Sequence, residues 1–173
     1  MRGVDAIIAL GPIVAIFLLV VAALHDIALR TIPNLISVAL LALGLLLRLV
    51  DESVIAGAGF ALAVFAASLF CWRRGWMGGG DVKLLAATAL VVPPFQVGSF
   101  LVITAQCGGV LALLYLALSR TVRLPPQRVV GRHTLRRSTL ARVVRAERWR
   151  ICRGAPLPYG FAIAAGGITL LLK

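Results

Sequence analysis

The sequence predicts an all-α, polytopic membrane protein with about six transmembrane helices and both termini outside. Three observations carry this. The 173 residues are 61% hydrophobic and have a mean hydropathy of +1.00, far from the roughly half-apolar make-up of a soluble domain. The apolar residues stand in long blocks rather than in stripes of period 3.6 or 2, so whole segments are to be buried and not single faces. Fifteen of the 18 Lys and Arg fall in connections that share one side when the chain threads back and forth.

Span 1 runs from about Ala6 to Leu24, long enough at 1.5 Å per residue to cross ~30 Å of hydrocarbon. It could pass for a signal peptide, but it runs into a charged turn and further spans without a small-residue cleavage site, so it is expected to stay as a helix. Gly11-Pro12 near its start is a possible kink, which membrane helices tolerate. His25 to Asn34 reads as a polar connection, and Pro33 suits the first turn of span 2, which continues to about Val50. Asp51-Glu52-Ser53 makes an acidic turn, and span 3 follows from Val54 to about Trp72. After Arg73-Arg74-Gly75-Trp76-Met77 comes the stretch Gly78-Gly79-Gly80-Asp81, read as a glycine hinge delivering a carboxylate to the mouth of an apolar helix. The run Val82–Val92 is too short to cross unless the bilayer thins or protein covers it. Phe95–Leu118 is a full span, and Tyr159–Leu172 is a short last one. The whole chain, 1–173, reads as a single membrane-embedded domain, with 119–158 a basic cytoplasmic loop within it.

Sidedness follows from charge. With the ends outside, the inner connections 25–34, 73–83 and 119–158 hold Arg30, then Arg73, Arg74 and Lys83, then eleven arginines. Short cytoplasmic loops are enriched in Lys and Arg, which fixes this orientation in the plasma (inner) membrane. Asp26 and Asp81 then fall on the cytoplasmic side, although neither was used to assign it. A net charge of +12 points to nucleic acid in a soluble chain. Here the arginines lie between two spans with only Trp149 and His133 able to stack on a base, so anionic lipid is the expected partner and nucleic acid is not. Arg142, Arg145 and Arg148, with Leu140, Val143, Val144 and Ile151 partly on another face, predict an amphipathic helix on the inner leaflet.

The chemistry rests on two acids. The chain has only six (Asp5, Asp26, Asp51, Glu52, Asp81, Glu147), and a carboxylate beside hydrocarbon is costly unless it is paired or has a function. Alone, each of Asp26 and Asp81 reads equally well as a helix cap. Together, two carboxylates a few ångströms apart cannot both ionise cheaply; one keeps a proton while the other loses it. That split is what aspartic proteolysis uses, one acid taking a proton from water and the other serving the scissile amide. No metal or cofactor is called for. The three cysteines (Cys71, Cys107, Cys152) lack C-x-x-C spacing and read as packing residues. The two histidines, His25 and His133, have no Ser or Cys placed for a triad. Gly78, Gly79 and Gly80 lack a Cβ and would let an unwound substrate backbone approach Asp81. Arg30 and Lys83 are inside-face anchors able to tune a neighbouring aspartate. His25 reads as a headgroup-facing or hydrogen-bonded residue, Trp72 and Trp76 as an interfacial belt, and Gly57, Gly59, Gly108 and Gly109 as helix-packing sites.

At these residues the chain resembles a known family. Gly78-Gly79-Gly80-Asp81 matches the G-x-G-D motif of intramembrane aspartyl proteases. Asp26 followed by Ile32-Pro33-Asn34 is similar to the first-aspartate region of the type IV prepilin peptidases, and Pro158-Tyr159-Gly160 is similar to the opening of their final helix. The resemblance covers Asp26 to Lys83 well, the end loosely and the arginine loop not at all. It implies an Asp26/Asp81 endopeptidase that removes the basic leader of a type IV pilin-like precursor after a glycine, at the cytoplasmic membrane face. The paired C-x-x-C segment of the long family members is not found here, so the resemblance is to the short form that serves Flp/Tad-type pili, without methyl transfer. Ala28 stands where many members carry a basic residue. The competing classes are a non-enzymatic membrane protein or ion-coupled transporter using the same acids, and a presenilin or signal-peptide-peptidase-like G-x-G-D protease. The first lacks midplane polar residues and a repeat; the second pairs its motif with Tyr-Asp, whereas Asp26 follows His25.

Overall fold

The computed structural model describes residues 2–121 and 157–173. Among these the chain forms six α-helices and one 3-10 turn, with no strand: α1 (Arg2–Leu29), α2 (Asn34–Val50), α3 (Val54–Arg73), α4 (Gly79–Val91), α5 (Val97–Thr121) and α6 (Tyr159–Leu171), with the turn at Pro94–Gln96. Three helical stretches, Ile7–Leu29, Val54–Arg73 and Pro94–Leu118, are long and apolar enough to cross a membrane, and α2 and α6 are shorter apolar helices. The expected amphipathic helix over 140–151 lies outside the described residues, as do most of the basic loop and Cys152.

The chain divides into two compact units, residues 1–108 with 158–173, and residues 109–157. Of the second, only the later turns of α5 and Leu157 are described; Leu113, Leu114 and Leu116 on those turns are exposed. The first unit holds the core. At its centre is α4, which packs against α2, α3 and α6, and every residue from Val82 to Val92 except Lys83 is buried. The short run is therefore covered by protein, the second of the two ways a stretch that length can be accommodated. Around it the exterior is apolar: Phe17, Leu24, Leu35, Ile55, Leu62 and Phe95 are all more than half exposed. Helices apolar on all faces belong in lipid or in a core.

Two local readings change. The helix α1 does not stop at Leu24 but runs unbroken through Pro12, His25 and Asp26 to Leu29. Ile27-Ala28-Leu29 carries no breaker, and the helix closes only where Arg30 takes a left-handed φ of 56°, its N–H donating to the Asp26 carbonyl at 2.8 Å. Asp26 is thus one turn inside a helix end rather than in a loop, and Pro33 is the residue ahead of α2 rather than in its first turn.

The three glycines are also not the hinge. The turn between α3 and α4 is made by Gly75, whose φ is 74°. Trp76 N donates to Cys71 O at 3.0 Å and Gly75 N to Trp72 O at 2.9 Å, the paired bonds of a Schellman C-cap that requires a residue at positive φ. Gly78 is the extended N-cap of α4, and Gly79 and Gly80 form its first turn.

At the end of the unit opposite the acids, Arg48 closes the α2–α3 turn. Its side chain is 4% exposed; it donates to Val91 O at 3.1 Å and to Ser53 Oγ at 3.1 Å, and pairs with Asp51 at 2.6 Å. Gly57 makes room for it, since a Cβ there would lie 2.7 Å from Arg48 Cδ. Gly108 similarly meets Tyr159 and Ala162, whereas Gly59 and Gly109 have nothing within 4 Å.

Candidate functional site

The candidate site is at the end of the first unit where α1 stops and α4 and α6 begin. Asp26 occupies the last turn of α1 and is 6% exposed. Its Oδ2 accepts a hydrogen bond of 2.9 Å from the backbone N–H of Gly160, in the first turn of α6. The four leading N–H groups of a helix have no partner within it. Pro158 at the N-cap supplies no side-chain bond, so a carboxylate from another helix does the capping.

Asp81 is the third residue of α4, ahead of the apolar run Val82–Val92. Its carboxylate reaches back to the Gly78 backbone N–H, the acid half of a capping box. Asp81 is partly buried, and burial first, then the negative charge of Asp26, pushes its carboxyl from 3.8 up to about 6. The Gly78 N–H and the Arg30 guanidinium pull the other way. The two acids therefore lie at the same end of the unit, close enough for the charge on one to alter the protonation of the other.

This shift has a testable sign. A carboxyl with a raised pKa in the folded state binds its proton more tightly there than in the unfolded chain. Its ionisation costs nothing below about pH 4 and opposes folding increasingly as the pH rises through about 6. Asp81→Asn is expected to melt higher than the parent protein above about pH 7, with the difference vanishing toward pH 4. A melting difference that does not change with pH would show that Asp81 is ionised without penalty.

The remaining predicted residues divide. The charge of Arg30 reaches Asp81, whereas the Lys83 ammonium donates to Asn34 Oδ1 at 3.0 Å and is absent from the groups that move Asp81. Two residues apart on a helix, Asp81 and Lys83 face nearly opposite ways. His25 is hydrogen-bonded, Nδ1 to Thr31 O at 2.7 Å, which holds the loop carrying Arg30. At the glycines, the space a Cβ would occupy is bordered by groups of this chain: Asp81 Oδ2 at 3.0 Å for Gly78, Trp72 Nε1 at 3.3 Å for Gly79, and Ile32 Cβ at 3.3 Å for Gly80. Gly78 and Gly79 are exposed. Among the described residues no three His, Cys, Asp or Glu come together as a metal-ligand set.

Sequence reasoning did not find Gly160, which donates to Asp26 from 134 residues away. The signal was present in Pro158-Tyr159-Gly160, a helix start whose leading residues offer no cap of their own.

A sequence model of the type IV leader peptidase family matches residues 13–113, more than half of the chain and inclusive of both acids. No curated protein and no solved structure gives a significant match.

Proposed function

Because this chain belongs to the type IV leader peptidase family, a membership that carries leader-peptidase activity on prepilin-type precursors in general, we propose that it is the aspartic endopeptidase of a short-form prepilin peptidase. It has six spans with both termini outside, lies in the inner membrane, and cuts at the cytoplasmic face after a glycine, just before the substrate's apolar stem. The observation that carries this reading is the electrostatic contact between Asp26 and Asp81, the only two acids at that end of the unit among the described residues.

The mechanism follows from the two environments. Asp26 and Asp81 share one proton, and the raised carboxyl of Asp81 is the one that holds it when the pair is singly protonated. Water between them gives a proton to the ionised Asp26 as its oxygen attacks the scissile carbonyl carbon, while protonated Asp81 hydrogen-bonds to the carbonyl oxygen. As the tetrahedral intermediate collapses, the C–N bond breaks and the proton that Asp26 took from water passes to the departing amine, leaving a free carboxyl on the leader, a free amine on the stem and the pair with its one proton. The charge of Arg30 opposes the rise in the Asp81 pKa, which limits how firmly the shared proton is held; Lys83 serves the inner face rather than the proton exchange. Exposed Gly78 and Gly79 supply the backbone against which an unwound substrate segment lies.

Within the family we propose Flp/Tad-type pilins as the substrate class. The arginines of 119–158 hold anionic headgroups and no nucleic acid. The test is co-expression with a precursor made of a short basic leader, a glycine and a long apolar helix. Mass spectrometry is expected to show a new N-terminus immediately after the glycine. Replacing the six arginines between 136 and 150 by Gln is expected to leave that cleavage rate within about twofold while weakening association of the loop with anionic vesicles. An intact precursor beside well-expressed, membrane-inserted protein would overturn the assignment.

A further inference from the structure

The family match ends at residue 113, yet α6, which begins at Tyr159, supplies a backbone hydrogen bond to Asp26. Three features of that contact go beyond ordinary packing. The donor is a main-chain N–H in the first turn of a helix, where the peptide dipoles leave a partial positive charge. Both partners are buried, Gly160 fully and Asp26 to all but 6%, so neither can exchange the other for water, and the bond is charge-assisted. The fit also admits no side chain: a Cβ at position 160 would stand 2.8 Å from Asp26 Oδ2 and 3.0 Å from both its Cβ and Cγ. Real Cβ atoms do not approach so closely, and the atoms that would have to give way form a short, enclosed side chain rather than the free end of a long one.

From this geometry we infer that Gly160 is a positioning residue: its N–H, and the absence of a side chain beside it, fix where the Asp26 carboxylate points. This inference rests on the peptidase reading above. It gives the last helix a part in the chemistry although it contributes no side chain to it. The last helix meets the end of the first at this point, so the register of α6 against α1 sets the aim of Asp26.

Two variants of the full-length, membrane-inserted enzyme test this with the leader–glycine–stem precursor. Gly160→Ala adds the excluded methyl. Replacing Gly160 by glycolate turns the amide into an ester, which removes the donor and adds no atom. A displacement of the order of 1 Å can cost about a hundredfold in rate. Gly160→Ala is therefore expected to lower kcat about a hundredfold, and the ester about tenfold, with KM within about twofold and the melting temperature within a few degrees of the parent. Either variant retaining kcat within about twofold would overturn the inference. So would a Gly160→Ala whose kcat, KM and melting temperature all worsen together while the ester is fully active, the pattern of a purely structural contact. Asp26→Asn is measured beside them. If it is inactive while both Gly160 variants are active, only the positioning role fails. If it cleaves like the parent, the peptidase reading fails and the positioning role fails with it.

Discussion

Asp26→Asn and Asp81→Asn are each expected to abolish precursor processing, by about 10⁴-fold or to below detection, while protein in the membrane fraction stays at the parent level. The size follows from what is removed. A positioned acid or base contributes roughly 10²–10⁴-fold, and asparagine also destroys the proton shared by the pair. The fold is expected to survive for reasons specific to each position. An asparagine at 26 keeps an oxygen to accept the Gly160 N–H, which lies 2.9 Å away in the parent, so α6 stays capped. An asparagine at 81 keeps the reach back to Gly78 and loses the cost of a carboxylate whose pKa is raised to about 6. Quantitative blotting of cleaved and uncleaved precursor, normalised to enzyme, is the measurement. Retained cleavage in either variant sinks the shared-proton mechanism.

The second large effect is on stability and comes from the other end of the unit. Arg48→Ala is expected to destabilise the protein by about 3 kcal/mol, a fall in melting temperature on the order of 10 °C. Arg48 is 4% exposed, and its guanidinium ties the end of α2 to the last turn of α4 through Val91 O at 3.1 Å. It also holds Ser53 and Asp51 across the α2–α3 turn. Its loss strands a buried carbonyl at a helix C-terminus, where positive charge is favourable, and empties the slot beside Gly57. Asp51 is 43% exposed and can find water, which keeps the cost below that of stranding a fully buried charge. Because the acids lie at the far end, cleavage per folded molecule is expected to be unchanged. A melting temperature within about 2 °C of the parent would show that the network is ornamental.

Part of this was legible in the sequence, because hydropathy reports directly which stretches form apolar helices. The three long apolar helices, the tight turn at Asp51-Glu52-Ser53 and the placing of Asp26 and Asp81 at a common end all follow from composition along the chain. The continuation of α1 past Leu24 was not legible, because polar His25 and Asp26 look like a loop until the breaker at Arg30 and Pro33 is weighed against the helix formers between. Three adjacent glycines drew attention from Gly75, although a lone glycine after Arg73-Arg74 is the commoner helix stop. The partners of Lys83, Arg48 and Asp26 lie 49, 43 and 134 residues away, and no local pattern encodes a contact at that range. Arg48 in particular is the clasp on the central helix, through a carbonyl 43 residues away.

That the central helix is enclosed by α2, α3 and α6 has a mechanical consequence. Asp81 rides on the least movable part of the unit, gripped from three sides. Asp26 rides on α1, which packs chiefly against α2 and α6 and turns Ile13, Phe17 and Leu24 outward. Any widening between the two acids is therefore expected to come from α1.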